Sequence, residues 1–130
     1  MKSEELIIDT SSILFGLKYK NNVFEIISNN DKYFSHTIVI SKGVLLELKR
    51  FSKSSKSLKK EAVMALEIVK DTVNKKRLII NKSESYVDKW ILNYATKNKA
   101  QVCTNDIKLK KQLKHNGITV ISISKSGILR

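Results

Sequence analysis

The chain has 130 residues, 42% hydrophobic and 28% charged, which excludes a wholly disordered chain and supplies apolar material for one folded core. Twenty-five Lys and Arg against 12 Asp and Glu leave a net charge of +13, which points to a polyanionic partner, nucleic acid first and an anionic membrane surface second. One cysteine (Cys103) and two distant histidines (His36 and His115) exclude an intramolecular disulfide and disfavour a zinc centre, and with no membrane-length apolar run or signal-peptide pattern a soluble, cytoplasmic protein is expected.

Leu6-Ile7-Ile8 reads as a first strand, after which Ser11 or Ser12 can cap a helix carrying Ile13, Leu14 and Leu17. A short amphipathic piece follows at residues 23–27, and Thr37-Ile38-Val39-Ile40 is the second strand. Ser41 is the expected N-cap of a helix over residues 42–51, with Val44, Leu45, Leu48 and Phe51 at helical spacing. Residues 51–57, rich in Ser and Lys, read as a basic loop. Leu58, Ala62, Ala65, Leu66, Val69 and Val73 then mark one helix face.

Leu78-Ile79-Ile80 is a third strand, and Ser83 or Ser85 is expected to open a helix with Val87, Ile91 and Ala95 inward and Trp90 beside them. A strand over residues 101–104 leads through Asn105-Asp106 into a helix over residues 107–115, whose Lys108, Lys110, Lys111 and Lys114 form a basic flank. Gly117 suits the position just past a helix end, and residues 119–123 read as the last strand. Strands alternating with helices predict one domain over residues 1–130, a three-layer α/β/α sandwich with a mostly parallel sheet.

In such a fold ligands bind beyond the carboxyl ends of the strands. Asp9 and Asp106 end strands, Glu47 lies on the helix after the second strand, and Asp88 falls in the first turn of the helix before the Asp106 strand. Taken singly, each has a structural reading. Asp9 and Asp106 can cap helices, Asp88 fits a capping box begun by Ser85, and Glu47 can pair with Arg50. Taken together, four carboxylates in one crevice repel unless cations lie among them, and Mg²⁺ or Mn²⁺ suits such oxygen donors.

Leu6-Ile7-Ile8-Asp9-Thr10-Ser11, Val44-Leu45-Leu46-Glu47-Leu48, Asp88, Thr104-Asn105-Asp106-Ile107-Lys108-Leu109 and Gly117-Ile118-Thr119-Val120-Ile121 resemble, in order and spacing, the PIN-domain nucleases. The resemblance covers nearly the whole chain and is nearest to small ribosomal-RNA-processing endonucleases of that family. It implies that Asp9, Glu47, Asp88 and Asp106 are the catalytic, metal-binding acids, with two Mg²⁺ or Mn²⁺ per site. It also implies that Thr104 is the small polar residue beside them, with Thr10, Ser11 and Asn105 in support. Two departures stand out: no proline precedes Glu47, and Lys89 follows Asp88 where many members carry a further acid.

The activity so implied is metal-dependent hydrolysis of RNA phosphodiesters in ribosomal-RNA processing or RNA turnover. Lys53, Lys56, Lys59, Lys60, Lys108, Lys110, Lys111 and Lys114 are the expected backbone contacts, and Tyr19, Tyr33, Phe34 and Trp90 are the aromatics that can stack on bases, Trp90 fitting the core better. The alternatives are the toxin of a toxin–antitoxin pair, which adds an antitoxin as partner, and a non-catalytic RNA-binding protein among ribosome-assembly factors. A homodimer is compatible with either.

Overall fold

The computed structural model describes residues 4–55 and 57–130. Lys56 lies outside the described residues. Five strands form one all-parallel sheet: β1 (Glu5–Ile8), β2 (Thr37–Ser41), β3 (Leu78–Asn81), β4 (Gln101–Cys103) and β5 (Val120–Ile121), in the order β3-β2-β1-β4-β5. The central strands are short, continuous runs of branched aliphatic residues because both of their faces are covered. Leu6, Ile7 and Ile8 are 0% exposed, as are Val102 and Cys103. Burial pushes the Cys103 thiol up to about 12, so it packs as a small apolar group and holds no thiolate at neutral pH.

Among the described residues six helices cover the sheet: α1 (Thr10–Lys18), α2 (Val23–Ser28), α3 (Lys42–Ser52), α4 (Lys59–Asn74), α5 (Val87–Asn98) and α6 (Ile107–His115). α1 to α4 pack against one another and α5 packs against α6, which gives two helical layers around the sheet. Ser41 caps α3 by accepting a hydrogen bond from the Val44 amide, and Asp106 caps α6 by accepting from the Leu109 amide, both as the local sequence predicts. The small residues Ala62 and Ala65 are fully buried on the inner face of α4 and let it lie close to α1 and α3.

Four local expectations need correction. Ser11 and Ser12 lie inside α1, whose N-cap is Asp9, and their hydroxyls serve other partners. Phe51 and Ser52 close α3 rather than begin the basic loop. The Ser85 capping box does not form: Tyr86 is the N-cap of α5, the Ser83 and Ser85 hydroxyls bond each other at 2.7 Å, and the Ser83 carbonyl accepts from the Gly43 amide at 3.0 Å. The Ser85 hydroxyl is thus spent on Ser83 instead of the helix start, and the tertiary bond from Gly43 anchors the turn that holds them. Finally, β5 keeps only two residues, because the chain turns back beyond it and Ile123 bridges to Leu129 in antiparallel fashion.

The connections set where a site can lie. From β1 the chain moves to β2 and β3 on one side, then returns to β4 and β5 on the other. The gap between the carboxyl ends of β1 and β4 is thus the point where strand order reverses, which leaves a crevice there. Ile8 pairs with Cys103 across that boundary, so Asp9 and the segment 104–106 leave the sheet side by side.

Candidate active site

A cleft of about 510 Å³ opens at this boundary, and Asp9, Glu47, Asp88 and Asp106 all line it. Four distant parts of the chain therefore deliver carboxylates to one cavity. Among the described residues Lys18 is the only cation on its wall, and Leu14, Phe15, Phe51 and Leu58 supply an apolar side.

Short hydroxyl side chains hold the acids. Asp9 is 4% exposed, and its Oδ2 accepts from Ser11 Oγ at 2.6 Å and from Thr104 Oγ1 at 2.8 Å. The Thr104 hydroxyl also accepts from the Asp106 amide at 3.1 Å, so one threonine orients both strand-end aspartates. Thr10 Oγ1 donates to Glu47 Oε1 at 2.7 Å and ties α1 to α3. Arg50 stands 3.9 Å from Glu47 Oε2, a loose, exposed pair worth little in stability. Asn105 accepts from Ser12 Oγ at 2.7 Å and donates to the Ile123 carbonyl at 2.8 Å, fastening the segment after β4 to α1 and to the chain end. Ser12, fully buried, belongs to this scaffold although its sequence context suggests only a cap.

Burial raises the Asp9 pKa above the ordinary carboxylate value, against its hydroxyl donors, and the charges of Glu47 and Asp106 raise it further. Asp88 is raised as well, first by partial desolvation and then by Asp9 and Asp106, while Lys108 opposes the shift. Asp88 is open to solvent, so screening weakens the energetic consequence there. For Asp9 the sign follows from linkage. The protonated carboxyl favours the fold, so its contribution is full below the unfolded value of 3.8 and is lost as pH rises through the raised folded value. Above that unfolded value the metal-free protein thus bears the cost of keeping this carboxyl buried, whether by holding its proton or by ionising it. Asp9→Asn keeps an oxygen to accept from Ser11 and Thr104 and is expected to unfold about 2–5 °C higher in EDTA at pH 7, roughly 1 kcal/mol; an equal or lower thermal midpoint contradicts this.

The donor chemistry fits a hard divalent cation: carboxylates crowded at one cleft of a chain whose net charge is +13. Among the described residues, however, no three His, Cys, Asp or Glu side chains are already gathered as a metal cage.

The expected RNA contacts lie elsewhere on the surface. Lys53, Lys59, Lys60, Lys108, Lys111 and Lys114 are exposed and Lys110 is half-buried. Lys108 is near enough to act on Asp88, but among the described residues Lys18 is the one cation that lines the cleft itself. Of the aromatics, Tyr33 and Trp90 are core residues, 4% and 8% exposed; the Trp90 ring tilts against Tyr94 at 4.9 Å. Neither can meet a base, and Phe34 and Tyr19 are the two that reach solvent.

The fold is that of the PIN domain, and the PIN like domain family matches residues 6–126, so the chain belongs to that family. It is 31% identical over 121 residues to Ribonuclease VapC4 of Methanocaldococcus jannaschii, covering 92% of this chain and 89% of that one. The structure of the PIN domain endonuclease Utp24 superposes with a TM-score of 0.77 at 27% identity, covering 97% of this chain and 89% of the other. A domain of a functionally unknown protein from M. jannaschii shares the fold, with a TM-score of 0.71, 16% identity, and coverage of 94% of this chain and 92% of that domain. No helix among the described residues is long and apolar enough to cross a membrane.

Proposed function

We infer that the protein is a metal-dependent endoribonuclease that hydrolyses RNA phosphodiester bonds at the carboxylate cleft. The observation that carries this reading is the convergence of Asp9, Glu47, Asp88 and Asp106 on one cavity at the strand-order reversal. Its kinship to a ribonuclease and to an endonuclease supports it.

Asp9 and Asp106, held side by side by Thr104, with Glu47 held by Thr10, are the residues that would hold Mg²⁺ or Mn²⁺. Asp88, exposed at the cleft mouth, completes the set. When bound, such ions acidify water for in-line attack and offset the charge that develops on the phosphodiester. The chain itself performs three tasks. Hydroxyl donors hold the Asp9 and Glu47 carboxylates and the Leu109 amide holds that of Asp106, so these three need little reorganisation when an ion and a phosphate arrive. Burial and the neighbouring carboxylates make ionised Asp9 costly, a cost that a bound cation would offset. The basic surface draws the RNA backbone in and gives affinity that falls steeply with salt.

Ribosomal RNA remains the leading substrate on the strength of the Thr104-Asn105-Asp106 segment and the Lys-rich helix after it. A toxin role for the same chemistry would add a protein antitoxin as partner. End-labelled RNA incubated with the protein in Mn²⁺ or Mg²⁺ is expected to yield internal cuts that disappear in EDTA. Intact RNA in both metals, with RNA binding retained, would instead fit a non-catalytic RNA-binding protein.

A further inference from the structure

Tyr86 is the most exposed large hydrophobic side chain among the described residues, at 86%. It follows the serine-rich turn after β3, where the Ser83 and Ser85 hydroxyls bond each other and the Gly43 amide anchors the Ser83 carbonyl. Its backbone is held as well, since its carbonyl accepts from the Trp90 amide at 2.9 Å. A rigidly mounted aromatic ring is thus displayed with no structural use for the ring itself.

Its position gives it a use. Tyr86, Leu46 and Arg50 line a second cleft of about 420 Å³ that meets the carboxylate cleft at Glu47, which lines both. The other acid in this second cleft, Glu84, is paired with Lys42 at 3.0 Å, and Arg50, held only loosely by Glu47 at 3.9 Å and lying over the Phe51 ring, is the cation that lines it. With Glu47 in the wall of both clefts, a strand whose phosphate rests at the acids has Arg50 and Tyr86 in the adjoining groove.

We propose that Tyr86 is a stacking platform for one nucleobase of single-stranded RNA beside the scissile phosphate, with Arg50 contacting the adjoining backbone. The proposal rests on the nuclease reading for its direction and adds to it the residue that would hold a base next to the cut. A base can lie on this ring only when it is free of its own helix, so the site selects unpaired RNA over duplex. Stacking on an aromatic face is tolerant of sequence, because every base has a π-face. Arg50 beside the ring and the chain's net charge of +13 favour a nucleic-acid strand over an apolar protein segment, against the two glutamates, Glu47 and Glu84, that share the groove.

Tyr86→Ala removes the ring and, at so exposed a position, leaves the core intact, while Tyr86→Phe keeps the ring and serves as the rescue. On labelled single-stranded RNA the alanine variant is expected to raise KM about tenfold and the phenylalanine variant to restore it. The loss should vanish on RNA carrying an abasic residue at one position next to the cut. Unchanged KM in an otherwise active protein, or an equal penalty on every abasic RNA, overturns the stacking site and leaves the nuclease reading standing. So does a wild-type dimer that Tyr86→Ala splits without altering KM per subunit, which would make the ring a contact between copies. If the wild type cuts no RNA, the nuclease reading fails, and fluorescence anisotropy with the same RNA in EDTA decides the rest. A tenfold weaker Kd for Tyr86→Ala supports stacking, and an equal Kd overturns it.

Discussion

Asp106→Asn is expected to lower kcat for RNA cleavage by roughly 10²–10³ while leaving the protein folded and able to bind RNA. The asparagine side chain caps a helix as well as aspartate does, so it can still accept from the Leu109 amide as Asp106 does at 3.1 Å. The backbone bond from the Asp106 amide to Thr104 is likewise independent of the side chain. What the substitution removes is one anionic oxygen from the cleft and the repulsion that Asp106 exerts on Asp9 and Asp88. RNA affinity in the absence of metal should therefore hold steady or rise. Single-turnover kinetics and anisotropy on the same RNA separate these quantities, and cleavage at more than about a tenth of the wild-type rate contradicts the assignment. Asp106→Ala would be the poorer test, because it also removes the cap and about 1 kcal/mol of helix stability.

Gly43→Ala is expected to damage stability and catalysis together. Gly43 lies in the first turn of α3, where a Cβ would stand 2.8 Å from the Ser85 carbonyl oxygen, 3.2 Å from Ser41 Oγ and 3.4 Å from Val87 Cγ2. The nearest of these atoms is backbone and has no room to swing away, so α3 and the segment leading into α5 must separate. Those two elements carry Glu47 and Asp88. The expected cost is about 1–3 kcal/mol in stability. Misplacing catalytic groups by about 1 Å can cost 10²-fold, so a rate loss of at least tenfold is predicted well below the unfolding midpoint. Gly117→Ala is the control. Gly117 has φ +74° with nothing within 4 Å of a Cβ, so alanine there strains the backbone by roughly 1 kcal/mol without touching the cleft. Thermal unfolding and cleavage rates for the two variants decide the matter: equal rate losses would mean that Gly43 acts through stability alone.

Local rules read much of this molecule correctly, and the failures share one physical origin. α6 runs over Ile107–His115 as its spacing predicts, and Ser41 and Asp106 cap their helices, because periodicity and capping depend on residues a few positions apart. Asp9 and Asp106 stand at strand ends for the same reason, and parallel strand order then brings them together. β5 was shortened by a chain end that folds back on it, and the turn before α5 is anchored by the Gly43 amide forty positions from Ser83, while the Ser85 hydroxyl that would have capped the helix goes to Ser83. The scaffold of the cleft is equally non-local. Thr10 meets Glu47 and Ser12 meets Asn105 across separations that no window of neighbouring residues reports. Tyr86 gives no sequence signal because its exposure is set entirely by what the fold leaves beside it.

Calorimetric titration of Mn²⁺ into the wild-type chain, Asp9→Asn and Asp106→Asn asks whether these carboxylates act on one ion site. Binding to the wild type that weakens at least roughly tenfold in each variant is the expected result. Three superimposable isotherms, or RNA cut at full rate in EDTA, would mean that the acids share a cleft without sharing a metal.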